Sequence, residues 1–338
     1  MRNSVLALAD DLTGALEIGA KFAQQGLPAT VITDLSSLAK PECPVLIIDT
    51  ETRHIAEAEA GSRIRYVAEC TRSLFATIIY KKTDSTLRGN IAAEFRAIQD
   101  VYPDRLIVYA PAYPDMGRTV KNGELFVWGT PVHQTEFAND RRSPVRDSSI
   151  RAILGDVPAL ILDGECNADI HAAAGKILEC PAPQICAGPA ALAGALAERL
   201  HPGKHRNSLP SGLRCLVVNG SLHPASIRQM SFAQEQGLFN GNWKRLDEEI
   251  EGADSERALE TGLCVRHMLA SSSFDALIVF GGDTAFGIHC ALGALPFESI
   301  GEIAPGVPIS RSGGLLWITK AGGFGPPDLL STIRNRLT

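Results

Sequence analysis

Nine short runs of almost unbroken apolar, largely β-branched residues alternate with stretches of helical spacing along this chain. They are Ser4–Asp10, Ala29–Asp34, Pro44–Asp49, Thr77–Lys82, Arg105–Ala110 and Pro158–Asp163, then Arg214–Asn219, Asp275–Phe280 and Leu315–Lys320. A strand that is apolar on both faces must be covered on both faces, which is the condition of a parallel sheet with helices above and below it. The pattern therefore predicts an α/β fold. At 338 residues the chain exceeds the size at which a single hydrophobic core usually stops growing. The polar segment His201–Gly212, with two prolines and two glycines, separates the first six strands from the last three. Two lobes are expected, over 1–205 and 213–338, each a mostly parallel sheet flanked by helices, with a cleft between them.

Helix signals fit this division. Asn90 suits an N-cap, and Ile91, Phe95, Ile98 and Tyr102 recur on one face behind it. Pro189 and Pro224 each suit a first helical position, Gly237 suits the stop of the helix begun at Pro224, and Gly293 suits a second stop. The charged stretch from Asn240 to Arg257 has no clear pattern.

Composition removes several function classes. The net charge of -6, with no basic tract, offers no electrostatic footprint for nucleic acid. No apolar run reaches the length of a membrane span, and the strand pattern begins after three residues, so a cytoplasmic protein without a leader is expected. The eight scattered cysteines form no C-x-x-C pair and are expected to be reduced and mostly buried.

In open α/β sheets ligands bind beyond the carboxyl ends of the strands, so the residues that follow each strand carry the argument. Asp10 and Asp11 follow the first strand in DDLTGA; two carboxylates there suit a general base or a substrate hydroxyl, and equally a helix cap. Lys82, Asp84 and Arg88 stand together in KTDSTLRGN, a set suited to an anionic, polyhydroxylated ligand, with Arg88 able to fork onto a carboxylate. Arg118 follows the stiff turn PAYPDMG, and His133 and Glu136 lie just beyond it. After Arg214–Asn219 comes Gly220-Ser221; after Asp275–Phe280 come Gly281, Gly282, Asp283 and Thr284; after Leu315–Lys320 come Gly322 and Gly323. Three glycine turns leading into helices offer backbone N–H groups and helix N-termini to phosphate, and Lys320 could meet the same anion. Neither a P-loop nor a dinucleotide fingerprint is present.

Taken in order, ADDLTGA (9–15), KKTDSTLRGN (81–90), PAYPDMGRTV (111–120), HQTEFANDRRSPVRDS (133–148), the Asn219–Ser221 turn, GGDTA (281–285), GEIAPGVP (301–308) and KAGGFG (320–325) resemble the four-carbon acid sugar kinase family over nearly the whole chain. The resemblance implies a sugar-acid-binding first lobe, an ATP-binding second lobe, and Mg²⁺-assisted phosphorylation of the 4-hydroxyl of a tetronate of the D-threonate or D-erythronate type. It places Asp10 or Asp11, Lys82, Asp84 and Arg88 in the sugar-acid motifs and Ser221, Gly281–Thr284, Gly322 and Gly323 in the nucleotide motifs. Of these residues, Asp11 or Asp84 is expected to orient or deprotonate the 4-hydroxyl, and Asp10, Lys82, Arg88 and also Arg118 are expected to bind the sugar acid. The metal ligands stay open. The expected partners are the small sugar acid, ATP and a second copy of the chain. Asn219 stands where the family more often has serine, and the segment between Ser221 and Gly281 is shorter than in most members. The competing readings are a non-catalytic two-lobed binding protein and an NAD(P)-linked dehydrogenase, the latter disfavoured by the missing fingerprint.

Overall fold

The computed structural model describes residues 4–38, 43–74, 76–203, 209–246 and 254–337. In the first half, β1 (Val5–Ala9), β2 (Ala29–Ile32), β3 (Val45–Asp49), β4 (Ile78–Lys82) and β5 (Leu106–Tyr109) alternate with α1 (Leu12–Gln24), α2 (Glu57–Thr71) and α3 (Ile91–Val101). A small antiparallel sheet follows, made of β6 (Arg118–Lys121), β7 (Glu124–Val127) and β8 (Thr130–Pro131). Then come α4 (Ile150–Leu154), β9 (Ala159–Ile161), α5 (Asn167–Glu179), β10 (Gln184–Gly188) and α6 (Ala190–Leu200). The second half contains β11 (Cys215–Asn219), α7 (Pro224–Glu235), β12 (Trp243–Arg245), α8 (Asp254–Ser271), β13 (Ala276–Phe280) and α9 (Gly282–Ala291). It closes with β14 (Phe297–Ala304), β15 (Val307–Ser312), β16 (Leu315–Lys320) and α10 (Leu329–Leu337).

All nine predicted strands form, within a residue or two of their expected ends. Two separate sheets do not. The large sheet is continuous through 13 strands, in the order β12-β11-β13-β16-β15-β14-β2-β3-β1-β4-β10-β5-β9. The halves meet where β14 pairs antiparallel with β2, Phe297 opposite Val31 and Glu298 opposite Thr30. Within this large sheet every pairing between first-half strands is parallel, and β14–β15–β16 is an antiparallel insert that feeds a second parallel set. The two parallel sets thus run in opposite senses within one sheet. β1 and β13 stand six positions apart, and at roughly 20–25° of twist per strand the second set is turned well past a right angle. That rotation lets the carboxyl ends of both sets open on one cavity.

The core follows the sheet. Val5–Ala9, Val45–Ile48 and Ala276–Phe280 are buried throughout, as strands covered on both faces require. One buried cluster runs through the first half and on to Leu216, Leu277, Ala285 and Trp317; a second lies under α7 and α10 around Val217, Ile278 and Ile333. Pro224 occupies the first turn of α7, and Gly237, with φ 62°, follows its end. Two local expectations fail. Asn90 stands at the start of α3 but gives its side chain to the carbonyls of Thr52 and Ile55 instead of capping the helix. The cysteines are all free, yet only Cys186 and Cys215 are buried, while Cys70, Cys166 and Cys290 are exposed. Of the 201–212 linker, residues 204–208 lie outside the described residues, as do 247–253 of the unpatterned stretch.

Helices α8 and α9 pack backbone to backbone through Gly262 and Gly287; a Cβ on Gly287 would stand 2.1 Å from the Ala258 carbonyl oxygen. Overpacking of this kind costs about 1–3 kcal/mol. Gly287→Ala is therefore expected to lower the urea midpoint by that amount of stability, and an unchanged midpoint would show that α8 and α9 are free to separate.

Candidate active site

The cleft is assembled from strand ends. At the end of β1 the chain turns into α1 with Asp11 at the N-cap, its Oδ1 accepting from the Gly14 N–H at 2.9 Å. Successive residues of a strand point to opposite sides, so Asp10 and Asp11 part company. Asp11 lines a cavity of about 660 Å³, whereas Asp10 is buried behind it. Both are held by Arg53. Its Nε and Nη2 donate to Asp10 at 2.8 and 2.9 Å, and its Nη1 and Nη2 donate to Asp11 at 2.6 and 2.8 Å. Asp84 lies 3.7 Å from the same guanidinium. Arg53 was not among the predicted residues. The signal was available, because Thr50-Glu51-Thr52-Arg53-His54 follows directly on β3.

The same alternation separates the two lysines of β4. Lys81 pairs with Glu94 at 3.0 Å on the buried side, and Lys82 faces the cavity, its Nζ donating to the Thr83 carbonyl at 2.9 Å. Asp84 accepts from Arg88 at 2.7 Å, and Arg88 also reaches Asp140 at 3.1 Å. Burial alone would raise the Asp84 carboxyl, but the Arg88 and Arg53 guanidiniums outweigh it and hold the group well below the ordinary carboxylate range. Arg118 is buried at the cavity wall between the rings of Phe137 and Phe324, 5.9 and 5.7 Å from their centroids. It donates to the Met116 carbonyl, and its Nε has no partner among the described residues. Glu136 lines the cavity, while His133 turns away to Ser148 Oγ at 2.6 Å.

From the second half, Ser221, Gly281, Gly282, Asp283, Thr284, Gly322 and Gly323 line the same cavity. Gly281 starts α9 with φ 111°, a conformation that favours glycine. The first turn of α9 abuts the first turn of α1, so closely that a Cβ on Gly282 would stand 2.9 Å from Thr13 Oγ1. His223 caps α7, its Nδ1 accepting from the Ala225 N–H at 3.1 Å. Arg142, from the segment after β8, crosses the cleft mouth to Asp283 at 3.0 Å. Asn219 makes a local turn, its Oδ1 accepting from the Ser221 N–H at 3.3 Å.

Every predicted site residue except Asp10 thus reaches one cavity. Lys320 is a correction. It does not face the cavity; its buried Nζ donates to Ser226 Oγ and the Gly322 carbonyl at 2.9 and 2.8 Å over the Phe280 ring, and burial lowers its pKa to about 7. It shapes the glycine turn from behind.

A family model for a sugar-binding N-terminal domain matches residues 5–157, and one for a nucleotide-binding C-terminal domain matches 244–330. The D-threonate kinase of Bordetella bronchiseptica is 27% identical over 389 positions, covering 96% of this chain and 95% of that protein. The chain belongs to the four-carbon acid sugar kinase family. Another relative, the D-erythronate kinase of Heliobacterium modesticaldum, is 35% identical over 164 residues, 45% of this chain and 36% of its own length. The 389 aligned positions exceed the 338 residues here, so the alignment with the Bordetella bronchiseptica kinase contains gaps on the side of this chain. A Haemophilus influenzae structure shares the fold at TM-score 0.75 and 20% identity, over 98% of this chain and 100% of that one. A Bordetella bronchiseptica structure, a domain-swapped dimer with bound citrate, matches at TM-score 0.57 and 26% identity over 100% and 98% of the two chains.

A buried carboxyl pair supports α1 from below. Glu51, at φ 45°, accepts the Leu12 N–H at 3.1 Å, and Asp49 accepts the Glu51 N–H at 3.1 Å. Burial and the neighbouring Asp11 charge push the Glu51 carboxyl up to about 7. The folded protein therefore keeps this proton to about pH 7, where an ordinary glutamate releases it near 4.5. Ionisation then costs stability as pH rises through that interval. Glu51→Gln is expected to be more stable than the parent at pH 8 by about 1–2 kcal/mol and near parity at pH 5. A Tm difference independent of pH would contradict this.

Proposed function

We propose that this chain is an ATP-dependent kinase that phosphorylates the 4-hydroxyl of a four-carbon sugar acid of the D-threonate or D-erythronate type. The observation that carries this reading is the composition of one cavity. Its first-half wall presents carboxylates and cations, and its second-half wall presents glycine turns at helix N-termini. Phosphoryl transfer demands mainly positioning and charge stabilisation, which such an arrangement supplies. We assign residues 1–205 to the sugar acid and 213–338 to the nucleotide, with the reaction in the cytoplasm.

Within this reading the acid–base roles separate. Asp84 is held ionised by two guanidiniums, so it is a poor proton acceptor and serves to fix Arg88 and Arg53. Asp11, fixed at the α1 N-cap and facing the nucleotide turns, takes the role of base toward the 4-hydroxyl. Arg88 is committed to Asp84 and Asp140; Arg118, buried without a carboxylate partner among the described residues, and Lys82 receive the sugar carboxylate. Ser221, Gly281–Thr284 and Gly322–Gly323 cradle the phosphates. Among the described residues no three acidic, histidine or cysteine side chains group as a metal site. A Mg²⁺ ion carried on nucleotide phosphates needs only one or two carboxylates, and Asp283, in the first turn of α9, is so placed. Such an ion would supply neutralisation of phosphate charge.

With Mg·ATP and a panel of tetronates, ADP release is expected on D-threonate or D-erythronate; no turnover on any of them, together with no thermal shift from ADP, would overturn the reading. Arg118→Met is expected to raise the KM for the sugar acid about 10–100-fold, the loss of a charged hydrogen bond, with ADP affinity within about twofold of the parent. Equal losses of both would mean that Arg118 supports the fold instead.

A further inference from the structure

Thr13 is a buried side chain in the first turn of α1, only 6% exposed, whose hydroxyl has no hydrogen-bond partner among the described residues. Buried polar atoms are paired in the great majority of cases, and an orphan calls for an explanation. A helix-interior threonine ordinarily turns its hydroxyl to the carbonyl one turn back; here, one residue inside the helix start, no such carbonyl is available. Instead the hydroxyl points at α9, where it would touch a side chain at Gly282 and where only glycine leaves room.

The two helix ends that meet at this hydroxyl are not alike. At α1, the Leu12 N–H is taken by Glu51 and the Gly14 N–H by Asp11, so that end is already satisfied by carboxylates. At α9, the N–H groups of the first turn have no acceptor within their own helix and the positive end of the helix dipole is open to an anion. Thr13 therefore stands on the boundary between a carboxylate-lined wall and an anion-seeking one, within a cavity that both walls line.

The geometry points to Thr13 as the residue that hands the phosphoryl group across the cleft, its hydroxyl donating to an oxygen of the phosphoryl seated on the first turn of α9. This rests on the kinase reading and locates its transfer point. The substrate hydroxyl oxygen bonds to the γ-phosphorus, and the bond from that phosphorus to the β,γ-bridging oxygen breaks. The hydroxyl proton passes to Asp11, and ADP leaves with the electron pair. The hydroxyl of Thr13 stays protonated throughout and acts by hydrogen bonding alone.

Thr13→Val keeps the shape and removes the donor. Since it deletes an orphaned polar group, the variant should unfold at the same temperature as the parent or higher. It should lose about 100-fold in kcat, the cost of removing one transition-state donor, with the KM for ATP nearly unchanged, and Thr13→Ser should restore most of the rate. Inorganic phosphate provides a readout without turnover: it should raise the parent's Tm clearly more than that of Thr13→Val. Parent-like kcat in Thr13→Val, or an equal phosphate shift in both proteins, would overturn the proposal. If the parent neither turns over nor binds ADP, the kinase reading falls, and the phosphate comparison still decides on Thr13.

Discussion

Everything at this site depends on one guanidinium. The ends of β1 and β4 bring Asp10, Asp11 and Asp84 close together in a region with little access to water, and three carboxylates so placed would repel one another. Arg53 resolves this with two forks, one on Asp10 and one on Asp11, and stands 3.7 Å from Asp84. Its own backbone is tied to the same place, because the N–H groups of Thr52 and Arg53 both donate to the Asp10 carbonyl, at 3.0 and 3.1 Å. A buried ion pair of this kind adds little net stability over an apolar replacement, but removing one partner costs about 3–5 kcal/mol, since a charge is left uncompensated. Its value lies in geometry. It locks the end of β3 to the end of β1 and leaves Asp11 facing the second half with its position set by both the cap and the fork.

The opposite wall is built from backbone. Where the first half spends charged side chains, the second half spends glycines, and it does so at the starts of α7 and α9 and in the turn after β16. The two walls touch directly at Thr13 and Gly282 and are bridged at the rim by Arg142 and Asp283. Because β14 pairs with β2, the walls are also parts of one continuous sheet. Their separation is governed by the twist of that sheet and by the β14–β15–β16 insert.

Much of this was legible in the amino-acid order. Strands buried on both faces announce themselves as apolar runs, and the rule that ligands gather at their carboxyl ends led to Asp11, Lys82, Asp84, Arg88 and the glycine turns. What escaped notice had physical reasons. β14, FESIGEIA, mixes polar with apolar residues without a clear period and carries a glycine, so it does not read as a buried strand, and the join between the halves was lost with it. β10, QICAG, is a central strand with a small-residue sequence that resembles the start of the next helix. Asp10 and Asp11 look equivalent on paper, and only the alternation of strand residues sends one inward. Lys320 looks like a phosphate ligand until the backbone shows that it points behind its own glycine turn.

The central claim is a division of one cavity into a sugar-acid wall and a nucleotide wall. A crystal grown with ADP and D-threonate tests it most directly. The phosphates of ADP should lie against Gly281–Thr284 and Gly322–Gly323, and the threonate carboxylate should lie against Lys82 and Arg118 with its 4-hydroxyl turned toward Asp11. Both ligands on the same wall, or ADP bound outside the cavity, would contradict it.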